Sequence, residues 1–104
     1  MNYGILIIED EEHVRETLAL LLENAEYRVA ALDSSTHLYK TINDFRPSLI
    51  LLDINLPYKN GLALCKEFRA KNANIPIIML TALGEIQDKV DAFNLGADDY
   101  MVEA

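Results

Sequence analysis

The sequence predicts an α/β fold built on a parallel sheet, and three observations carry the prediction. Short apolar runs recur at 4–8, 29–32, 49–52 and 77–80, each about a strand long. Between them apolar residues return at helical spacing over stretches of about ten to fourteen residues, so the chain alternates βαβ units, which close only as parallel strands with right-handed crossovers. The third observation is Leu49-Ile50-Leu51-Leu52, whose unbroken aliphatic run reads as a strand buried on both faces. Asp53 follows it directly, and so stands where a central strand leaves the sheet, the place at which open parallel sheets bind their ligands.

Each element has its own justification. Gly4-Ile5-Leu6-Ile7-Ile8 is an apolar strand, and the acids Glu9-Asp10-Glu11-Glu12 that follow mark its carboxyl end and the start of a helix, whose amino terminus favours negative charge. Within His13 to Ala25 the positions Val14, Leu18, Leu21, Leu22 and Ala25 form an inward stripe. Arg28 to Leu32 is a second strand, and Ser34-Ser35 offers hydroxyl caps to a second helix carrying Leu38, Ile42 and Phe45, stopped by Pro47. After the third strand, Lys59-Asn60-Gly61 is turn chemistry leading into a third helix with Leu64, Cys65 and Phe68 inward. Asn74-Ile75-Pro76 opens the fourth strand, Ile77 to Leu80, which ends on Thr81. A fourth helix with Ile86, Val90 and Phe93 on one side and Gly96 at its end precedes a fifth strand over Asp98 to Val102, which contains Tyr100. The short length favours a flavodoxin-like three-layer sandwich with strand order 2-1-3-4-5.

At 104 residues the chain holds one domain, 1–104, and is too short for two. A net charge of −8 argues against direct binding of nucleic acid, because phosphate contacts need a basic face, and equally against anionic membrane surfaces. No charge-free run approaches the roughly 20 residues of a membrane span, and the amino terminus lacks a signal-peptide pattern, so a cytoplasmic location is expected. The single cysteine, Cys65, forbids an internal disulfide and reads as a small core residue, since no His or Lys is placed by sequence to activate it. His13 and His37 lie in different helices, which argues against a histidine metal site. No Gly-x-Gly-x-x-Gly or Walker motif is present, which removes the two usual phosphate-cradling loops.

With the first and third strands adjacent, Glu9, Asp10 and Asp53 converge at one end of the sheet. Two carboxylates about 4 Å apart repel by roughly 4 kcal/mol at an effective dielectric of 20, so three of them call for a proton or a cation. Mg²⁺ suits such a donor set and recruits a phosphate oxygen to complete its octahedron, with the backbone carbonyl of Asn55 as a neutral ligand. A phosphate beside an aspartate points to an aspartyl phosphate, and the Thr81 hydroxyl is placed to bond one phosphoryl oxygen. The plainer alternatives are an acidic helix start and a capping Asp. Either alone is as common as a site, but their joint occurrence on adjacent strand ends is not.

Ile-Leu-Ile-Ile-Glu-Asp-Glu at 5–11, Leu-Ile-Leu-Leu-Asp-Ile-Asn-Leu-Pro at 49–57, Asn60-Gly61, Ile-Pro-Ile-Ile-Met-Leu-Thr-Ala at 75–82 and Gly-Ala-Asp-Asp-Tyr at 96–100 resemble the receiver domain of two-component response regulators, of the winged-helix transcriptional type. The resemblance covers essentially the whole chain. It implies that Asp53 is the phosphoacceptor, that Glu9, Asp10, Asp53 and the Asn55 carbonyl hold Mg²⁺, and that Thr81 assists at the phosphoryl group and forms with Tyr100 the conformational switch. It implies a sensor histidine kinase as phosphodonor, an output domain that binds DNA and regulates transcription, and a signalling domain that catalyses only its own phosphorylation and dephosphorylation. From the residues alone Tyr100 reads equally as an ordinary strand aromatic.

Two departures from the family pattern shape the expectations. The family follows Asp-Asp-Tyr with Lys-Pro, whereas this chain has Met101-Val102-Glu103-Ala104, so a negative charge stands where a phosphate-binding lysine is expected. Losing one such donor commonly costs on the order of 10²–10³ in rate. This sustains an alternative function, a pseudo-receiver that acts as a phosphorylation-independent interaction module. A Mg²⁺-dependent phosphohydrolase is disfavoured because Asn55 occupies the position of its usual second carboxylate. The second departure is that the chain lacks the receiver's last helix. Some 400 Å² of bared sheet would forgo roughly 10 kcal/mol of burial, so the expectation is either a piece of a longer regulator or a homodimer that covers the gap.

Overall fold

The computed structural model describes residues 3–54, 56, 60–71, 74–81 and 99–102, the last four and Thr81 by their backbone. The elements are β1 (Gly4–Ile8), α1 (Glu12–Asn24), β2 (Arg28–Leu32), α2 (Leu38–Phe45), β3 (Leu49–Asp53), α3 (Gly61–Ala70), β4 (Ile77–Thr81) and β5 (Asp99–Val102). The five strands form one parallel sheet in the order β2-β1-β3-β4-β5, the arrangement predicted. The expected fourth helix lies outside the described residues, as does the first residue of the expected fifth strand, Asp98.

Strand parity divides the core in two. Leu6, Ile8, Ile50, Leu52, Ile77 and Met79 face α2 and α3, where Leu38, Leu64, Cys65 and Phe68 complete the larger cluster. Ile5, Ile7, Leu51 and Leu80 face the other way and receive Leu18, Ala19 and Leu22 of α1. The sheet is therefore the middle of three layers. All of β1 is buried, whereas β2 at the edge has only half-buried and exposed residues, as a strand flanked on one side should.

Two local expectations need correction. Leu21 and Ala25 are not part of the inward stripe of α1: both are exposed, as is Leu20, and Ala25 is already the C-cap of the helix. At about 100° per residue, the stripe formed by Leu18, Ala19 and Leu22 places Leu21 roughly a quarter turn off its centre, and the sheet contacts select that narrower stripe. Ser34 and Ser35 do not cap α2 either. The N-cap is His37, without a side-chain cap bond, and the Ser34 hydroxyl instead accepts from the Thr36 N–H. Thr36 and Ser34 thus satisfy each other in the turn, with Ser34 three residues before the cap position. The far end of α2 is closed by Arg46 in the left-handed conformation, φ 52°, just before the predicted stop at Pro47.

On the α1 side an apolar groove of about 400 Å³ runs along the sheet, lined by Tyr3, Leu18, Leu22, Leu49, Leu51 and Ile78 among others.

Candidate metal and phosphoryl site

The parity that sorts the core also assembles the site. Ile8 pairs with Leu52, so Glu9 leaves β1 at the level where β3 ends on Asp53. Asp53 pairs in turn with Leu80, and the Ile54 N–H donates to the Leu80 carbonyl at 3.1 Å, which holds the chain past the acid against β4. Carboxylate oxygens of Glu9, Asp10 and Asp53 all lie within 4.8 Å of one another. Glu9 and Asp53 are buried, 2% and 6% exposed, while Asp10 faces solvent. The cluster is thus two acids held in the sheet rim and one at its mouth, open to an incoming ligand.

Backbone bonds hold these acids in place. Glu9 donates its N–H to the Leu32 carbonyl at 3.0 Å, and its Oε1 accepts the Glu11 N–H at 3.2 Å, fixing it to the edge strand and to the start of α1. Opposite, α3 begins hard against the end of β3. The Gly61 N–H donates to the Ile54 carbonyl at 2.7 Å, and a Cβ at position 61 would collide with the Asp53 carbonyl oxygen. Glycine is required there by close approach. Asn60 caps the helix, its Oδ1 accepting the Leu62 N–H at 2.7 Å. The Asn-Gly pair that reads as turn chemistry in the sequence therefore has two separate tasks, a cap and a clearance.

Hard oxygen donors of this kind suit Mg²⁺. Neighbouring ligands about 2.0–2.1 Å from the metal lie roughly 3 Å apart in an octahedron, so oxygens within 4.8 Å need close by at most about 2 Å, within reach of carboxylate rotation. Three negative charges at this spacing, two of them away from water, also favour a divalent cation electrostatically.

Of the other predicted site residues, Thr81 is the last residue of β4, paired with Val102, and Tyr100 is paired with Met79. The backbone thus puts both at the same end of the sheet as the acids, two ladder steps or fewer from it. Asn55 and Glu103 lie outside the described residues. Two residues not assigned to the site from the sequence support it from outside: Gly61, read there as turn chemistry, and Arg15, whose guanidinium reaches back to the carbonyls of Glu9 and Asp10.

The family that matches is described as the response regulator receiver domain, over residues 5–102. The chain belongs to this family. Among curated relatives, the alkaline phosphatase synthesis transcriptional regulatory protein PhoP of Bacillus subtilis is 40% identical over 99% of the chain, and the match covers 43% of that protein. The receiver thus spans less than half the length of the curated relatives it resembles. Among solved structures, a response regulator from Chloroflexus aurantiacus is 34% identical with a TM-score of 0.88, covering 99% of this receiver and 86% of that chain. The BeF3-activated N-terminal receiver domain of Klebsiella pneumoniae RstA is 30% identical with a TM-score of 0.89, covering 95% and 84%. The protein is a receiver domain of the response-regulator family, and its curated relatives are transcriptional regulators.

Proposed function

We propose that this receiver accepts a phosphoryl group on Asp53, supplied by the phosphohistidine of a sensor histidine kinase, and so switches a DNA-binding output domain and transcription. The observation that carries the reading is the convergence of Glu9, Asp10 and Asp53 within 4.8 Å at the carboxyl edge of the sheet. Glu9, Asp10 and Asp53, with the Asn55 carbonyl, are the ligands assigned to Mg²⁺, which when bound supplies charge neutralisation between the acids and an incoming phosphate.

In the transfer, a carboxylate oxygen of Asp53 forms the new P–O bond while the bond from phosphorus to the donor nitrogen breaks and its electron pair returns to the imidazole. Burial of Asp53 in the rim limits competing water, and its fixed backbone keeps the attacking oxygen in line. The Thr81 hydroxyl is assigned to one phosphoryl oxygen, and its movement with the Tyr100 ring is the assigned switch. Both sit at the end of the sheet where such coupling is short. The domain is placed in the cytoplasm, with the kinase as its partner.

Incubation with acetyl phosphate and Mg²⁺, followed by intact mass measurement, tests this directly. The wild type gains one phosphoryl group and Asp53→Asn gains none; equal gain by both, or by neither, overturns it. A second reading, the pseudo-receiver, draws on Glu103 in place of the family's lysine. Under that reading beryllofluoride with Mg²⁺ fails to bind, whereas the phosphoacceptor binds it.

A further inference from the structure

The mouth of the acidic site is held by a residue from outside it. Arg15 Nη1 donates to the Glu9 carbonyl at 2.9 Å and to the Asp10 carbonyl at 3.3 Å, so one guanidinium nitrogen spans the two successive peptides that carry two of the three carboxylates. Its place in the chain is otherwise unfavourable. Arg15 stands in the first turn of α1, next to the helix's positive end, where acids are stabilised and cations are not. The bonds to both carbonyls account for a cation in that turn.

The two acids do not depend on Arg15 equally. Glu9 is buried and is also tied through its N–H to Leu32 and through Oε1 to Glu11. Asp10 is exposed, and among the described residues it receives its hydrogen bond from Arg15. Repulsion from Glu9 and Asp53 drives an exposed carboxylate outward unless its backbone is fixed. A side chain that fixes it works as the outer-shell partners of metal ligands do, by orienting a donor without touching the metal.

We propose that Arg15 is a positioning residue of the Mg²⁺ site: by clamping the Glu9 and Asp10 carbonyls it holds the Asp10 carboxylate toward Asp53, and so sets the affinity for Mg²⁺ without taking part in phosphoryl transfer. The inference rests on the metal site of the proposed function.

Calorimetric titration of Mg²⁺ into wild type, Arg15→Ala and Arg15→Lys, with the rate of phosphorylation by acetyl phosphate measured across the same Mg²⁺ range, separates the two. Arg15→Ala is expected to bind Mg²⁺ about 10- to 100-fold more weakly. Its half-saturating Mg²⁺ concentration for phosphorylation rises by the same factor, while the rate at saturating Mg²⁺ stays near that of wild type. Arg15→Lys, which keeps a charged donor in reach of the carbonyls, recovers most of the affinity. Urea unfolding of each variant without Mg²⁺ supplies the readout of fold. The inference is overturned if wild type binds and Arg15→Ala binds equally well, or if the affinity lost matches a loss of folded protein and of saturating rate that Arg15→Lys does not restore. Absence of Mg²⁺ binding by wild type itself overturns the metal site and the inference together.

Discussion

At the scale of single residues, the site depends on two acids being buried without becoming a liability. Glu9 and Asp53 are both nearly inaccessible, and their mutual repulsion weakens the apo fold while making it ready for a cation. Mg²⁺ at about 100 times its dissociation constant should therefore stabilise the wild type by about 2.7 kcal/mol, measured as a rise in the urea midpoint. Glu9→Gln, which keeps the shape and removes a charge, should lose most of that increment while unfolding no more easily than wild type in the absence of Mg²⁺. Cys65 tests the other side of the reading. It is wholly buried among Leu64, Phe68 and the sheet, so its thiol should react with an aromatic disulfide reagent only on unfolding, and fast reaction of the native protein would contradict the core assignment.

At the scale of elements, the contact between α3 and β3 decides how well Asp53 is placed. Gly61 lets the helix begin against the Asp53 carbonyl, and a methyl group there has backbone rather than a flexible side chain in its way. Gly61→Ala should cost at least about 1–3 kcal/mol, the range of overpacked cores, and should slow phosphorylation as well; an unchanged denaturation midpoint would refute the close-approach account. Phe68 anchors the same helix, 3% exposed and stacked with Tyr39 of α2 at 6.5 Å between ring centres. Phe68→Ala is expected to cost about 3–5 kcal/mol, as buried aromatic truncations do. Across this pair Lys71 lies over the Tyr39 ring at 4.1 Å, and partial burial, then the charge of Glu67 and the hydrogen bond to it, raise the Tyr39 phenol above its usual pKa. The α2–α3 contact is thus closed by aromatic and charged groups at its rim as well as by apolar ones inside.

At the scale of the whole molecule, charge and the apolar groove govern partners. A net charge of −8 predicts no shift of duplex DNA by this chain at physiological salt, phosphorylated or not; binding that weakens with added salt would refute it. The groove along Leu18, Leu22, Leu49, Leu51 and Ile78 exposes apolar sheet on the α1 side. If a second copy covers it, sedimentation at micromolar concentration shows a dimer, and a well-folded monomer at that concentration argues against one.

Much of this was legible in the sequence because its signals are local. The 3.6-residue spacing of the helices, the unbroken apolar run Leu49 to Leu52 and the acids that directly follow two strands are each displayed by a single segment by itself. The strand order is read from the short length of an alternating βαβ chain, and with it the meeting of Glu9, Asp10 and Asp53. The tertiary structure decided what depends on how one element is turned against another. It put Leu21 outside the stripe, gave the α2 cap to His37 rather than a serine, required Gly61 by clearance and sent Arg15 back across the first turn of α1. A helix's rotation about its axis and the reach of a long side chain are set by contacts between segments far apart in sequence, and no local period records them.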